Sequence, residues 1–217
     1  MFIGHYAVAM AAKKAAPQAS LGTLFLASQL VDLIWPVMLL LGIEHVKISP
    51  GITVVTPLDF YDYPITHSLI GVISWGVLLG AFYFYIKRDI RTSLVLMLCV
   101  FSHWILDFLT HRPDLPLSLS GDRFYGLGLW NSFSGTLVVE LGLYVIGIAV
   151  YLNSTSAKDK SGNYGFWSLA VLLLIIYAAN IFGSAPPNEI MIGYAGLGLW
   201  LFIPWAYWVD NHRKLKQ

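Results

Sequence analysis

Six long apolar stretches, separated by short charged loops, dominate this chain of 217 residues. A helix that crosses a bilayer needs about 20 mostly apolar residues, and each stretch meets or nearly meets that length. They cover 21–42, 66–86, 92–109, 131–152, 165–182 and 190–209. Charged residues make up only 12% of the chain, about half the share of an average soluble protein. We therefore expect an all-α polytopic membrane protein with about six transmembrane helices, forming a single integral membrane domain over residues 1–217.

Basic residues cluster in every second loop, and this pattern predicts the orientation of the bundle. The basic segments are 13–14, 87–91, 158–160 and 213–216. Because cytoplasmic loops are enriched in Lys and Arg, six spans would place these segments and both termini in the cytoplasm. The remaining loops would lie outside, where we expect their charged residues to be solvated: Glu44, His45, Asp59, Asp62, Asp114 and Asp122. The net charge of +1 indicates no nucleic-acid partner.

The N-terminal segment 2–16 is too short to be a seventh span. It is apolar up to Ala12 and ends near Lys13 and Lys14. One interpretation is an interfacial helix on the cytoplasmic face. The other is a half-helix that begins inside the bundle and descends to the lysines. At about 1.5 Å per residue, His5 would then lie roughly 12 Å above Lys13.

Several ionisable residues fall inside the predicted spans, where polarity is costly. A carboxylate at the centre of a spanning helix costs about 2.5 to 3.5 kcal/mol. Asp32, Asp107 and Glu140 all lie within apolar stretches, so leaving them unpaired would cost roughly 9 kcal/mol. Since no Lys or Arg is predicted inside the membrane, a shared cation is the obvious partner for several carboxylates.

The most regular pattern is formed by His103, Asp107 and His111, which recur at steps of four residues. On a helix, residues at this spacing lie on one stripe. Imidazole nitrogen and carboxylate oxygen are ligands of zinc and similar divalent ions. Counted from the outer end of each span, His67 has a depth similar to that of His111 and Asp107. The pattern thus predicts one metal site in the outer half of the membrane.

The roles of the other polar residues stay open at this level. Thr66 is expected to cap the second span, with His67 on its first turn, where it could equally be an interfacial histidine reaching water. Asp32 could be a ligand or an ion-pair partner, and Pro36 is expected to kink its helix. Glu140 could be a ligand, an anchor for a histidine or a proton carrier.

Four short motifs in the first 120 residues resemble a known family. They are Gly4-His5, Asp32, Thr66-His67-Ser68-Leu69 and Ser102-His103-x-x-x-Asp107, in that order. This order resembles the YdjM-type family of inner-membrane metal-dependent hydrolases. The resemblance implies His5, Asp32, His67, His103 and Asp107 as metal ligands, and a location in the bacterial inner (plasma) membrane. It also favours the inserted half-helix, because His5 cannot join the site from the cytoplasmic surface.

The resemblance has a departure and an implied chemistry. The family often has Pro-Asp-x-Asp-His around the second motif, whereas no acid or histidine directly follows Asp32, which counts against a second metal ion. The ligand order is also loosely similar to that of zinc-dependent phospholipase C, which would imply a phosphoester substrate. A bound divalent ion, zinc first among them, lowers the pKa of its water to about 7. Glu140 or Asp32 would take the proton.

Three other functions compete with a hydrolase acting on a small or amphiphilic ester or phosphoester in the bilayer. A proton-coupled or ion transporter could use Asp32, His103, Asp107 and Glu140 as a relay. A b-type haem protein could use His67 and His103 as axial ligands. A structural membrane protein without catalysis could use the polar cluster only to hold its helices together.

Overall fold

The computed structural model describes residues 1–121 and 123–216, so Asp122 of the expected solvated charges lies outside the described residues. The helices of the first half are α1 (Ile3–Ala15), α2 (Leu21–Ser28), α3 (Leu30–Leu40), α4 (Pro64–His67), α5 (Leu69–Lys87) and α6 (Ile90–Thr110). Those of the second half are α7 (Phe133–Ser154), α8 (Lys160–Phe182), α9 (Glu189–Leu197) and α10 (Phe202–Asn211). Single 3₁₀ turns, Leu129–Asn131 and Gly198–Leu201, precede α7 and join α9 to α10.

Short two-stranded antiparallel ribbons occupy three of the loop regions. They are β1 (His45–Ile48) with β2 (Leu58–Asp62), β3 (Leu115–Pro116) with β4 (Phe124–Tyr125), and β5 (Thr155–Ala157) with β6 (Arg213–Leu215). The apolar pattern of the spans contained no signal for these ribbons, because each one pairs residues in polar connections. Their main effect is to hold the loops at the two ends of the bundle.

The predicted all-α polytopic membrane fold is confirmed. Within the described residues, five helical stretches are long and apolar enough to cross a membrane, and the bent pair α2–α3 makes a sixth if it counts as one span. Large apolar side chains cover the outside of these helices, and only 22% of the apolar window of α5 is buried. Such a surface requires lipid rather than water. The chain is therefore an integral membrane protein.

The first span bends by 55° between α2 and α3, at Gln29 rather than at Pro36. Pro36 lies inside α3, so the break between the two helices is not at the proline. At the bend, the carbonyl oxygen of Ser28 accepts a hydrogen bond from His103 Nδ1 at 2.9 Å. A helix can break inside a membrane where a side chain satisfies the freed backbone group, and His103 does so here.

Helix α1 lies inside the bundle, as the half-helix interpretation predicts. It packs against α7, α2 and α6, and Ile3, His5 and Tyr6 are almost fully buried. A side chain at Gly147 of α7 would lie 2.6 Å from the backbone of Ala7, so glycine is required for this close approach. This packing carries the first residues of the chain to the polar centre of the bundle.

The four basic segments meet at one end of the bundle, here called the basic end. Lys13 Nζ contacts Asp210 at 2.8 Å, and Arg91 Nε donates to the carbonyl of Ala15 at 2.9 Å. The β5–β6 ribbon joins the segment after α7 to the C-terminal segment. The opposite end, here called the loop end, carries the β1–β2 and β3–β4 ribbons. The two ends therefore differ in charge as the sequence predicts.

Candidate metal site

Five of the predicted ligands converge near the loop end of the bundle. They lie on different elements: His5 on α1, Asp32 on α3, His67 on α4, and His103 and Asp107 on α6. Two overlapping sets, His5–His103–Asp107 and Asp32–His67–His103, each offer ligand atoms that all lie within 4.8 Å of one another. We call these five residues the metal-site cluster. The convergence of residues up to 102 positions apart in the chain is the first requirement for a metal site.

His103 occupies the centre of the cluster. Because a carbonyl oxygen only accepts, the bond to Ser28 assigns the proton of a neutral ring to Nδ1. The Nε2 lone pair then faces Asp107 Oδ2 at 3.1 Å and Asp32 Oδ1 at 3.6 Å. Among the described residues Nε2 makes no hydrogen bond. A neutral ring would leave a buried lone pair beside two carboxylates, which is unfavourable unless a cation lies among them or the ring takes up a second proton.

His67 is oriented by a chain of hydrogen bonds that sequence reasoning missed. Thr66 Oγ1 donates to Glu44 at 2.6 Å and lies 2.7 Å from His67 Nδ1. Since a hydroxyl that donates to a carboxylate still accepts, His67 Nδ1 donates to it and Nε2 points to Asp32 Oδ1 at 3.3 Å. Glu44 is completely buried, so the expectation that it is solvated is wrong. Burial is tolerated because Glu44 also accepts the Thr66 N–H at 2.8 Å.

The helix cap in this region also differs from the prediction. Thr66 does not cap the second span, because its hydroxyl is used by Glu44 and His67. Ser68 is the N-cap of α5 and accepts the N–H of Gly71 at 2.9 Å. A side chain at Gly71 would lie 2.5 Å from the carbonyl oxygen of Ile65. Glycine therefore lets α4 fold back on the start of α5, which turns His67 into the bundle.

His111 lies at the edge of the cluster and is held by Asp114. Its Nδ1 contacts Asp114 Oδ1 at 3.0 Å, while Nε2 is 4.0 Å from Asp107 Oδ1. Asp114 is buried, so the expectation of a solvated loop acid is wrong here also. It is stabilised by Arg112 Nε at 3.1 Å. Burial and the neighbouring Asp114 raise the pKa of Tyr63 well above its usual value, so its neutral phenol donates to this carboxylate.

The other loop charges lie nearer to solvent. His45 contacts Asp62 at 3.0 Å, and both side chains are nearly half exposed. Asp59 pairs with Arg112. These residues fit the predicted solvated loop more closely than Glu44 or Asp114 do. The difference separates loop acids that orient histidines from those that only pair at the surface.

The N-terminus of α1 brings further groups to the cluster. His5 stacks on His103 with ring centroids 3.6 Å apart, and its Nε2 is 3.1 Å from Asp107 Oδ1. The α-amino group of Met1 donates to the same oxygen at 2.5 Å. Glu140 accepts the backbone N–H of Phe2 at 2.9 Å. Glu140 thus lies at the start of α1, where a negative charge interacts favourably with the N–H groups that the helix itself leaves unbonded.

The cluster has the chemistry of a site for one divalent ion. Neutral histidines whose outer nitrogen is hydrogen-bonded, with the other nitrogen directed at carboxylates, are the usual arrangement around zinc. His67, His103 and His111 all have this form. One proton can bridge only one nitrogen–carboxylate pair, whereas a metal ion binds several nitrogen and oxygen atoms at the same time. Both ligand sets include His103. Its Nε2 has one lone pair, so only one of the two sets can hold an ion at a time.

A cavity of about 520 Å³ leads from the loop end to the cluster. At its base lie Asp32, His67, Asp107, His111 and Glu140. Its walls come from the loop around 50–58 and from the end of α8 and the following residues, 179–186. The loop around 50–58 is attached to the 3₁₀ turn that precedes α7, because the N–H groups of Val54 and Val55 both donate to the Trp130 carbonyl at 3.2 Å. The cluster is therefore accessible to a molecule of moderate size.

The fold and this cluster define a class: a polytopic α-helical membrane protein with a buried His/Asp cluster at the base of a cavity. Comparison with protein-family models, with curated proteins and with solved structures found no match for this chain. The function of the chain is therefore inferred from the geometry of the cluster and from the motifs of the sequence.

Proposed function

We propose that this chain is a membrane-embedded, metal-dependent hydrolase that acts on an ester or phosphoester of a small or amphiphilic molecule. The observation that carries the proposal is the common orientation of His67, His103 and His111. Each donates its Nδ1 proton to an outer acceptor and directs Nε2 towards Asp32 or Asp107. The resemblance to the YdjM-type family supports the same ligands and a bacterial inner membrane, with the basic end in the cytoplasm.

The cluster residues divide into those that would hold the ion and those that would orient them. His103 with Asp32 and Asp107 would form the centre of the site, with His67 or His5 completing the coordination. Glu44, Thr66 and Ser28 orient the histidines through the bonds described above. A bound divalent ion, most simply zinc, supplies a water whose pKa is lowered to about 7 and polarises the ester oxygen.

Asp32 is better placed than Glu140 to receive the proton from that water. The Asp32 side chain is 23% exposed and lines the cavity, so it can reach a water and pass its proton outward. Glu140 also lines the cavity, but it already accepts the Phe2 N–H. Its role in the proposal is to fix the N-terminus of α1, and with it the position of His5.

The competing functions are less well supported by the geometry. A transport path should continue towards the basic end, but below His5 the space is filled by the buried side chains of Tyr6, Met10 and Phe25. A haem between His67 and His103 would have to displace Asp32, whose Oδ1 lies 3.3 and 3.6 Å from the two Nε2 atoms. A purely structural cluster would need no access from outside, whereas this one lies at the base of a cavity of about 520 Å³.

Metal analysis of the protein purified in a nonionic detergent tests the proposal. We expect about one equivalent of zinc and its loss in His103→Ala. His45→Ala is the matched control, because His45 lies in the β1–β2 ribbon and pairs with Asp62 away from the cluster. Hydrolysis of p-nitrophenyl esters and phosphoesters should disappear with the metal and return when zinc is added. A wild-type protein that takes up no divalent ion would contradict the proposal.

A further inference from the structure

The walls of the cavity have an unusual charge balance for a site assigned to ester hydrolysis. Three carboxylates line it, from Asp32, Asp107 and Glu140, and among the described lining residues there is no Lys or Arg. One divalent ion would balance the two aspartates. The Met1 α-amino group offsets the charge of Glu140, so with the ion bound the base is close to neutral, and among the described lining residues it offers an anionic group no cationic side chain to pair with.

The outer wall of the same cavity is aromatic. Trp35, Phe60 and Trp130 line it, with ring centroids 5.6 Å apart for Trp35 and Phe60 and 6.1 Å for Phe60 and Trp130. Phe60 and Trp130 are partly exposed. Aromatic faces next to carboxylates attract ammonium groups by cation–π interaction.

Two buried hydrogen-bond donors point to a second feature of the ligand. The indole N–H of Trp35 and the hydroxyl of Tyr177 make no hydrogen bond to the described residues. Both residues line the cavity and are more than nine-tenths buried. Buried donors without partners are costly, and an ester oxygen of a bound molecule would satisfy them.

A cation is already accommodated at the base of the cavity. The α-amino group of Met1, which lines the cavity, lies 2.5 Å from Asp107 Oδ1. This contact is an example of an ammonium group stabilised by the acids of the site. It lies at Asp107, whereas Phe60 and Trp130 of the aromatic wall are partly exposed and can contact a ligand.

We propose that this cavity binds amphiphiles that carry an ammonium group close to the scissile ester, held by the aromatic wall of Trp35, Phe60 and Trp130. The proposal deepens the hydrolase function and depends on it for turnover, but not for binding. The ammonium group lies at the aromatic wall and the ester oxygen meets the donors of Trp35 and Tyr177. A lipid headgroup and a small soluble choline-type ester share this chemistry.

Titration calorimetry with O-butylcholine and its uncharged isostere, 3,3-dimethylbutyl butyl ether, tests the ammonium requirement. Both are ethers, so hydrolysis does not complicate binding. We expect the ammonium compound to bind the detergent-solubilised protein about tenfold more tightly, within the range of a desolvated cation–π contact. Trp130→Leu should remove most of that preference and Trp130→Phe should retain it. Trp167→Leu, a change at an exposed position of α8, should have no effect.

The outcomes separate this inference from the hydrolase proposal, because metal content is measured on the same samples. Equal binding of the two ethers by a metal-loaded protein overturns the inference and leaves the hydrolase intact. If the protein binds no metal but still prefers the ammonium compound, the inference stands and the hydrolase proposal is contradicted. A preference that survives in both Trp130→Leu and Phe60→Leu also overturns the inference. Hexylphosphocholine distinguishes the sources: tighter binding than O-butylcholine assigns a lipid headgroup, and weaker binding a small soluble ester.

Discussion

Two buried polar clusters lie in this bundle, and they differ in how their charges are satisfied. At the basic end, Lys13 contacts Asp210 at 2.8 Å, and the Tyr151 hydroxyl donates to the same carboxylate at 3.0 Å. Arg213 donates to Thr155 and to the carbonyl of Gly162. In this basic-end cluster, each cation contacts an acid or oxygen acceptors. In the metal-site cluster, the Met1 α-amino group contacts Asp107, while Asp32 faces the ring nitrogens of His67 and His103.

The comparison separates buried polar groups that hold the fold from those that we propose to bind a ligand. A complete set of pairs needs nothing further and holds α1, α7, α8 and α10 together. The metal-site cluster has one such pair, between Met1 and Asp107, and we propose that a metal ion held by Asp32 and the histidines completes it.

The largest expected effect is on stability when the metal is removed. A ligand present at about 1,000 times its dissociation constant stabilises the folded state by about 4 kcal/mol. Chelation of wild-type protein should therefore lower its thermal midpoint, and zinc should restore it. The chelator should have no effect on Asp107→Asn, which lacks a central ligand. If the thermal midpoint of the wild-type protein responded to neither chelator nor zinc, the metal-site cluster would need no metal ion for stability, like the basic-end cluster.

A somewhat smaller loss is expected when the basic-end pair is broken. Lys13→Met leaves the Asp210 carboxylate largely buried without its cation, which should cost about 3 kcal/mol in a denaturant titration. Metal stoichiometry should stay unchanged, because the lysine lies outside the site. Lys14→Met, at an exposed position, is the control. Loss of metal in Lys13→Met would mean that the basic end also sets the position of His5.

Loss of the buried loop acid should weaken the metal site without destroying it. Glu44→Gln removes the charge that orients Thr66 and, through it, His67. Partners of this kind contribute about 10- to 100-fold in metal affinity, measured by competition with a zinc chelator of known affinity. Asp62→Asn, in the same loop region but half exposed, should leave the affinity unchanged. An equal effect of the two changes would reject the orienting role of Glu44.

The smallest effect is expected at the cap of α5. Ser68→Ala removes the side-chain acceptor for the Gly71 N–H and should reduce stability by about 1 kcal/mol. Ser134→Ala, at an exposed position of α7, should be close to neutral in the same unfolding assay. If Thr66 rather than Ser68 were the cap, Ser68→Ala would behave like the control.

Sequence reasoning was most successful where a single helix carries the information. The spacing of His103 and Asp107 places both on one stripe of α6 whatever the rest of the chain does. The length of the apolar stretches likewise determines the spans. The inserted α1 and the role of His5 came from a resemblance rather than from the spacing, and the structure confirms that His5 reaches the cluster.

Sequence reasoning failed where contacts between distant residues decide the structure. The bend at Gln29 is accompanied by a hydrogen bond between His103 and Ser28, 75 residues apart, whereas Pro36, the visible local signal, lies inside α3. Glu44 and Asp114 were expected to be solvated because they lie in loops. The burial of Glu44 depends on Thr66, which is 22 residues away, whereas Asp114 lies only three residues from its partner His111. An acid a few residues from a histidine, as in His111 and Asp114, is the one local signal that could have indicated this.

X-ray absorption at the zinc edge, on protein loaded with one equivalent of zinc, tests the central claim most directly. We expect a first shell of nitrogen and oxygen at about 2.0–2.1 Å, with the outer-shell pattern of at least two imidazoles. The pattern should be lost in His103→Ala and kept in His45→Ala. A shell of water oxygens alone, or one that is identical in His103→Ala, would contradict a metal site at this cluster.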